Sequence, residues 1–263
     1  KEDLAGLEEL EYDYDGIEGA RISDLTGLEY CTNLQLLSLR KHRITDITPI
    51  SNITKLSYIA LSDNQISNLL HLENLTNLTH LSLSDNYQIN DLTPLIKMTN
   101  LSELDLGLNK IRDLTPLSHL KHLRILYLRS NQISDLSALI DLRELTSLRV
   151  DNNPLNNTAL STHIPALEAR GITVEYDTPE GVVLFKDANL EQAIRDALGI
   201  PTELLKEEDL AKLEELVVVN EGKPESEKIA DLTGIEHCTS LTKLWLDSNQ
   251  LTDLSSLANL TKL

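Results

Sequence analysis

The sequence predicts an α/β solenoid, in which a curved parallel sheet lines the concave side, turns or 3₁₀ segments form the convex side, and helical segments act as caps. Three observations favour this fold. A leucine motif recurs about every 22 residues, apolar and polar positions alternate within each motif, and a polar residue, usually asparagine, follows at a fixed distance. Each repeat therefore corresponds to one turn of a stacked coil.

The motif has the form LxxLxLxxN followed by IxDLxxL, and successive copies start 22 or 23 residues apart. Its LxL centre alternates, which predicts a short strand with one buried face. The return leg is too short for a long helix, and its Asp, Thr and Pro content favours a capped turn or a 3₁₀ segment. The motif starts at Leu34, Leu56, Leu78, Leu101, Leu123, Leu145, Leu241 and Leu263.

A buried ladder of asparagines is expected inside the coil, because stacked amide side chains satisfy backbone groups of neighbouring turns. His42 takes the same position in the first unit and departs from the pattern. The ladder asparagines are Asn64, Asn86, Asn109, Asn131, Asn153 and Asn249.

Residues 104–114, with the sequence LDLGLNKIRDL, resemble the 22-residue leucine-rich repeats of the bacterial internalin family. They also resemble the related short-repeat class of intracellular regulatory scaffolds. The resemblance covers nearly the whole chain and implies a leucine-rich-repeat solenoid. The internalin-like alternative implies a secreted or cell-surface bacterial protein that binds a protein partner, and the scaffold alternative implies a cytoplasmic one.

A longer period divides the chain. Residues 2–10 match residues 208–216, which predicts one nearly complete solenoid followed by the start of a second, with both ends truncated and the natural N-terminus missing. The expected parts are a truncated N-terminal cap and first partial repeat (1–33), leucine-rich repeats (34–155), a C-terminal cap (156–177), a linker (178–181), the N-terminal cap of the second solenoid (182–228) and its first repeats (229–263).

The caps are expected to contain two helices. Residues 158–170 predict one, followed by an extended run at 172–176. The second is expected to start at Asp187 or Asn189 and to end at Gly199. Its shared apolar face is predicted to hold Leu190, Ile194 and Ala197.

Charge limits the classes of partner. The formal net charge is −19, which argues against nucleic acid and against an anionic membrane surface, and favours a partner with a basic surface. No apolar run is long enough to span a bilayer, so membrane insertion is not expected. No signal peptide is present in the given sequence.

The chain shows no catalytic motif. It lacks a glycine-rich phosphate loop, a zinc-protease motif and a nucleophile elbow, so neither enzymatic activity nor a cofactor is predicted. Cys31 and Cys238 occupy equivalent inward leucine positions and are expected to be buried free thiols. His119 and His122 lie three residues apart on a return leg and are expected to be surface polar residues.

An aspartate recurs before most return turns. Each carboxylate is expected to accept backbone N–H groups and cap its own turn. The alternative, which stays open, is a row of calcium sites. The aspartates are Asp24, Asp46, Asp91, Asp113 and Asp135, with Asn68 interrupting the row.

The outward strand positions are expected to carry the binding specificity, because alternation directs them away from the core. Small residues at these positions form a shallow floor, which consists of Ala60, Ser62, Ser82, Ser84 and Gly107. Tyrosine and arginine, which often anchor interfaces, stand around it. The candidate partner-binding residues are Arg40, Tyr58, His80, Glu103, Asp105, Ile125, Tyr127, Arg129, Arg149 and Trp245.

These residues favour a non-catalytic protein-binding module whose partner is basic or bears glycans. Three alternatives stay open. One is an intracellular regulatory scaffold. Another is a structural tandem spacer that stacks end to end through apolar surface near Leu263. The third is carbohydrate binding by Tyr58, Tyr127 and Trp245.

Overall fold

The computed structural model describes residues 4–16 and 21–263, so parts of the predicted N-terminal cap at 1–3 and 17–20 lie outside the described residues. The chain divides into two compact units. Unit 1 comprises Lys1–Leu155 and His163–Asp177, and unit 2 comprises Asn156–Thr162 and Thr178–Leu263. The segment 156–177 is thus divided between the units, and the finer boundaries expected from the sequence stay predictions. Among the described residues, no helix has the length and apolar character needed to cross a membrane.

Unit 1 is built on an eight-stranded parallel sheet whose strand order follows the sequence. From β2 to β7 each strand pairs with the next at one repeat's distance, so Leu37 lies opposite Ile59 and Leu126 opposite Leu148. This arrangement confirms the predicted leucine-rich-repeat solenoid. The strands are β1 (Glu9–Glu11), β2 (Leu36–Ser38), β3 (Tyr58–Ala60), β4 (His80–Ser82), β5 (Glu103–Asp105), β6 (Ile125–Tyr127), β7 (Ser147–Arg149) and β8 (Thr173–Glu175).

The return legs of unit 1 form short 3₁₀ helices, as predicted. Proline stands in the first turn of three of them, where its missing N–H costs no hydrogen bond and its fixed φ suits the turn. These helices are Leu4–Gly6, Leu28–Tyr30, Thr48–Ile50, Leu70–Leu72, Thr93–Leu95, Thr115–His119 and Ser137–Leu139.

Aliphatic side chains fill the core of unit 1. The middle residue of each strand from β2 to β7 is fully buried, and the return legs contribute further buried leucines and isoleucines. Burial of each such side chain stabilises the fold by about 1.5–3 kcal/mol. Cys31 takes one of these leucine positions, and it is a buried free thiol as predicted.

The buried asparagines form the predicted ladder. The Asn131 amide donates to the carbonyls of Leu106 and Leu128, both at 3.0 Å, and its Oδ1 accepts from the N–H of Ile111 at 2.9 Å. Each asparagine therefore joins neighbouring turns of the coil through their backbones. His42 does the same work in the first unit, because its Nδ1 accepts from the N–H of Ile22 at 3.2 Å.

The residue just before each ladder position adopts a left-handed conformation, which turns the chain away from the strand. These residues are Lys41, Asp63, Asp85, Leu108, Ser130, Asn152 and Ser248. The 23-residue unit has a second such residue, Tyr87, with φ of 63°. The additional residue of that unit is thus accommodated in the loop after Asn86, outside the strand.

The turn aspartates cap their own turns, which confirms the favoured interpretation. Asp46 accepts from the backbone N–H of Thr48 at 2.8 Å and from its hydroxyl. Asn68 does the same for Leu70, whose N–H lies 2.9 Å from the amide oxygen. The hydrogen bonds from Thr48 lower the pKa of Asp46, because they stabilise its charged form.

The segment after the last repeat of unit 1 combines a helix with a strand. One wide helical turn, Ala159–His163, leads into α1 (Ile164–Glu168), and β8 of unit 1 then pairs in parallel with β7. The predicted helix at 158–170 and extended run at 172–176 are confirmed. The Arg170 guanidinium donates to the carbonyls of Ile140 and Leu142, both at 2.6 Å, and so satisfies acceptors of the preceding return leg.

Unit 2 starts with a capped amphipathic helix, α2 (Ala188–Leu198). Asp187 accepts from the N–H groups of Asn189 and Leu190, and Gly199 ends the helix with φ of 69°. The predicted inward face was wrong in one position, because Ala197 is exposed while Leu198 packs on the core. The longer side chain of Leu198 buries more apolar area than an alanine would.

The rest of unit 2 repeats the architecture of unit 1. A short helix, α3 (Glu207–Leu210), precedes two parallel strands, β9 (Glu215–Val217) and β10 (Lys243–Trp245). Cys238 is buried at the position equivalent to Cys31, and burial raises its pKa to about 12. The 3₁₀ helices of this unit are Glu225–Glu227, Ile235–His237 and Ser255–Leu257.

Two equivalent glycines precede 3₁₀ helices in the two units. Gly27 has φ of 108° and Gly234 has φ of 105°, which are conformations that side chains strongly disfavour. A Cβ atom at Gly234 would also lie 2.6 Å from two ring carbons of Phe185, whereas nothing lies within 4 Å of one at Gly27. The glycine of unit 2 therefore also provides room for an aromatic ring.

Candidate partner-binding face

Seven of the nine candidate residues of unit 1 lie in two aligned rows on the concave face of its sheet, and Arg40 and Arg129 lie two residues beyond the ends of β2 and β6. Strand pairing places Tyr58, His80 and Glu103 side by side, and Ile125 continues the same row on β6. Asp105, Tyr127 and Arg149 form the second row on β5, β6 and β7. The predicted alignment is confirmed, and the role of these residues in binding stays a prediction.

The small residues are more covered than the sequence suggested. Of the five expected floor residues, Ala60, Ser84 and Gly107 are buried, whereas Ser62 and Ser82 are half-buried like the larger candidate residues around them. The expected floor is therefore only partly open to a partner, at Ser62 and Ser82. The contact surface of unit 1 consists of the tyrosines, the charged residues and Ile125.

A polar cavity of about 280 Å³ lies over strands β2 to β5. The guanidinium of Arg40 donates to the hydroxyl of Tyr58 at 2.9 Å on one side of it. The rings of Tyr58 and His80 lie 5.8 Å apart, and His80 Nε2 lies 3.8 Å from a carboxylate oxygen of Glu103. The cavity thus has a cationic end at Arg40 and an acidic end at Glu103 and Asp105.

The three arginines of the face differ in their partners. Arg149 is neutralised, because its Nε lies 2.6 Å from Asp151 and 3.2 Å from Glu175. The hydrogen bond to Asp151 raises the pKa of Arg149 above its usual value. Arg149 is one of the binding cations predicted from the sequence, and its ion pairs make it a weaker candidate than expected.

Arg40 is partly compensated by Asp13, whose carboxylate lies 3.9 Å from its guanidinium. Within the described residues, no carboxylate oxygen lies within 4.0 Å of the Arg129 guanidinium. Arg129 is therefore the concave-face arginine whose charge is most available to a partner.

Gly107 positions Arg129, and this contact was not predicted from the sequence. A Cβ atom at Gly107 would lie 3.1 Å from Cγ and 3.5 Å from Nε of Arg129. The Arg129 side chain therefore lies across a position where only hydrogen fits closely. Tyr127, two residues before Arg129 along the chain, is half-buried on β6.

The face as a whole is acidic. Its carboxylates outnumber its three arginines, and most of them stand toward the two ends of the sheet. The acidic side chains at outward positions are Glu9, Glu11, Asp13, Glu103, Asp105, Asp151, Glu175 and Asp177. Sequence columns drawn only through the repeats omitted the residues of β1 and β8, which lie outside the regular motif.

Trp245 lies on the sheet of unit 2, separate from the other nine candidates. It is 54% exposed on β10, and its ring contacts the ammonium of Lys243, which lies 4.9 Å from the ring centre. Its neighbours Val217 and Val219 are exposed to a similar degree, and the sequence analysis did not include them.

The described residues contain no group of three or more His, Cys, Asp or Glu placed to hold a metal ion. His122 pairs with Glu144 at 2.9 Å and is exposed, and His119 is also exposed, as predicted for surface residues. Burial raises the pKa of both cysteines, so neither thiol is activated as a nucleophile.

Comparison with known proteins supports the repeat assignment. Family models for "Leucine Rich repeats (2 copies)" and "Leucine rich repeat" match residues 76–119 and 99–155, respectively. No curated protein sequence matches the chain.

Three similar solved structures come from bacteria. Internalin C2 of Listeria monocytogenes is 27% identical, with a TM-score of 0.54, and the match covers 100% of this chain and 80% of that one. A second internalin of the same organism is 25% identical, with a TM-score of 0.51, and the match covers 100% and 87% of the two chains.

A leucine-rich-repeat protein of Leptospira interrogans is 22% identical, with a TM-score of 0.55 and coverage of 92% of this chain and 57% of that one, and it supports the fold alone. The chain is thus internalin-like in its leucine-rich repeats and in its fold. Repeat solenoids of this type commonly bind proteins on extended surfaces.

Proposed function

We propose that this internalin-like leucine-rich-repeat protein is a non-catalytic module of a secreted or surface-attached bacterial protein, and that unit 1 binds a protein partner on its concave face. The proposed anchor is the pair Tyr127 and Arg129. These two side chains lie two residues apart on β6 and the loop that follows it, so they point to the same side of the sheet.

The availability of Arg129 carries the proposal. The other two arginines of the face, Arg40 and Arg149, both lie near carboxylates, whereas Arg129 has none within ion-pair distance among the described residues. A charged side chain held over Gly107 and left unpaired is suited to an acceptor on another molecule. Half-buried Tyr127 beside it supplies aromatic area at a low cost in conformational entropy.

The remaining charge favours a partner that is basic overall. The acidic residues at both ends of the sheet, together with a net charge of −19, would attract a positively charged surface and accelerate its association. In this arrangement Arg129 meets one acceptor at the centre of an otherwise basic epitope. Association should therefore slow as salt is added, since screening acts mainly on the exposed outer charges.

Secretion or surface attachment is supported by the likeness to Listeria internalins and by the resemblance that the repeats carry. Fractionation of the source cells, with detection by an antibody against this chain, tests this part. We expect the protein in the medium or on the cell surface. Its recovery only from the cytoplasm would instead favour the intracellular scaffold.

Partner binding is tested with the double variant Tyr127→Ala and Arg129→Ala. A protein captured by the immobilised chain is purified, and its affinity for each variant is then measured by surface plasmon resonance. Loss of a central tyrosine and arginine should weaken binding by at least about a hundredfold, since such anchors are each worth about 2 kcal/mol or more. Far-UV circular dichroism and the unfolding midpoint should stay unchanged, because neither residue is in the core.

The matched control removes one tyrosine and one arginine from exposed positions outside the concave sheet, Tyr87→Ala with Arg112→Ala. We expect this variant to bind as the unaltered protein does. Equal affinity of the purified partner for the Tyr127/Arg129 variant and the unaltered chain would place the binding site elsewhere.

A further inference from the structure

An apolar patch stands out on the sheet of unit 2. Trp245, Val217 and Val219, here called the Trp245 patch, are 54%, 50% and 51% exposed, respectively. Trp245 lies directly opposite Val217 in the parallel pair of β10 and β9, and Val219 follows two residues later on the same side. A contiguous set of large exposed apolar side chains is a common mark of an interaction site.

The patch is unnecessary for closing the core of unit 2. Leu216 on β9 and Leu241 just before β10 are buried and already line the inward side of the two strands. The three apolar residues occupy the opposite, outward side. They therefore add surface for contact without filling space in the fold.

Unit 1 shows that the same scaffold accepts polar residues at these positions. Its strands β1 and β2 pair as β9 and β10 do, with Leu10 opposite Leu37 where unit 2 has Leu216 opposite Leu244. In that alignment, the outward residues equivalent to Val217, Val219 and Trp245 are Glu11, Asp13 and Ser38. The two units therefore share a fold and present outward surfaces of different chemistry.

The charges around the patch indicate which apolar ligand fits. Lys243 is satisfied within the unit, since its ammonium lies 3.0 Å from Glu215 and over the Trp245 ring. Asp247, two residues beyond Trp245, is exposed, and its carboxylate has no hydrogen bond or ion pair within the described residues. Residues 178–263 contain 17 acidic and eight basic side chains, so the surroundings favour a cationic ligand.

We infer that unit 2 carries a second protein-binding site, in which the Trp245 patch receives an apolar side chain that is flanked by lysine or arginine in a partner protein. The apolar side chain would cover Trp245 and the two valines, and a flanking cation would pair with Asp247. A sugar fits less well, because its hydroxyl groups need polar partners and the valines offer none. This site differs from the one proposed on unit 1 in both its location and its chemistry.

The single tryptophan of the chain makes this inference directly measurable. Burial of an exposed indole shifts its emission to shorter wavelength, so Trp245 reports on its own site in the complete protein. Three short synthetic peptides without aromatic residues serve as probes. The first presents leucine between lysines, the second leucine between glutamates, and the third serine between lysines.

We expect the lysine-flanked leucine peptide to produce a saturable blue shift, with a dissociation constant at least about tenfold lower than that of either other peptide. The double variant Val217→Thr with Val219→Thr retains β-branched side chains, so the strand should persist while the patch becomes polar. It should raise the dissociation constant about tenfold. Asp247→Asn should weaken only the lysine-containing peptides, and most strongly at low salt.

Leu70→Thr provides the matched control, because it removes another exposed apolar side chain in unit 1 and should leave the titration unchanged. Equal binding of the three peptides, or preference for the glutamate-flanked one, would refute the inference. A blue shift that rises with protein concentration alone would identify a second copy of the chain as the occupant, and one produced only by an oligosaccharide would identify a glycan site. Either result would overturn the assignment to a basic protein partner.

Discussion

The asparagine ladder shows how single residues hold the coil together. Asn131 joins the backbones of two consecutive turns, since it donates to Leu128 of its own turn and to Leu106 of the preceding turn, and accepts from Ile111 of that preceding turn. The backbone groups that it satisfies are buried, where water cannot replace the lost partner. The turn geometry thus requires the ladder. Removing a ladder asparagine should lower the free energy of unfolding more than the loss of an ordinary surface hydrogen bond does.

Asn131→Ala should therefore lower the free energy of unfolding by about 3 kcal/mol, because it leaves several buried backbone groups without partners. Urea unfolding followed by circular dichroism provides the measurement. Asn100→Ala is the control, since the amide of Asn100 also bonds a carbonyl of the previous turn, at 3.0 Å, but lies at the surface. We expect a loss of about 0.5 kcal/mol or less there. Similar losses for the two variants would show that the buried ladder is not special.

The ladder could be predicted from the sequence, because its residues recur at one spacing and its chemistry is the same in every unit. The ion pairs of Arg149 could not be predicted from the sequence. One of its partners, Glu175, belongs to a strand after the last repeat, and no periodicity relates it to the arginine. The role of Gly107 could not be predicted either, because no sequence pattern indicates that the Arg129 side chain packs over the neighbouring repeat at Gly107.

At the scale of elements, the glycine turn that precedes a 3₁₀ helix in both units has an additional role in unit 2. Gly27 and Gly234 adopt nearly the same positive φ before equivalent 3₁₀ helices, but only Gly234 packs against an aromatic ring. Phe185, the sole phenylalanine, comes just before α2 and is buried in the core of unit 2. The turn thus fixes how the segment before the cap helix meets the first repeat of that unit.

Gly234→Ala should destabilise its unit more than Gly27→Ala does. Both variants introduce backbone strain of about 1–3 kcal/mol, and the one at 234 adds a steric clash with Phe185 worth about 1–3 kcal/mol more. Chemical unfolding of each variant measures the difference. Replacing Phe185 by leucine in the Gly234→Ala background should recover part of the loss. Equal destabilisation by the two alanines would contradict the packing role.

The elements themselves were largely predictable. The strands, the 3₁₀ return legs and the cap helix follow from leucine spacing, from proline position and from Asp187 and Gly199 at the helix ends. The error at Ala197 arose from taking one helical face from spacing alone. Residues three and four apart share a face, so spacing cannot decide between Ala197 and Leu198, whereas buried area does.

At the scale of the whole molecule, aspartate caps occur at turn after turn in a protein with a net charge of −19. In Asp24 and Asp46, hydrogen bonds from the following threonine lower the pKa. A carboxyl group whose pKa is lower in the folded state than in the unfolded state stabilises the fold above its unfolded pKa of about 3.9. That contribution is lost as the pH falls through the lower, folded value.

The chain should consequently lose stability on acidification from about pH 5 to about pH 2, the range that spans the unfolded pKa of the aspartates and their lower folded values. A variant with the five turn aspartates of unit 1 changed to asparagine should lose less over this range, because Asn68 already shows that an amide caps the turn without a charge. Unfolding midpoints at several pH values test this. The control changes the same number of exposed glutamates to glutamine, namely Glu8, Glu9, Glu11, Glu168 and Glu180. Parallel acid profiles for the two variants would contradict the capping mechanism.

Tyr87 has a consequence for how such a molecule changes over evolutionary time. The additional residue of its unit is taken up in the loop after Asn86, while His80 still lies opposite Glu103 and Asn86 still accepts from the N–H of Ile66 at 2.8 Å. An insertion at this point therefore preserves both the strand pairing and the ladder bond. A gene that gains a codon there leaves the concave surface unchanged, whereas the gain or loss of a whole unit lengthens or shortens that surface by one strand.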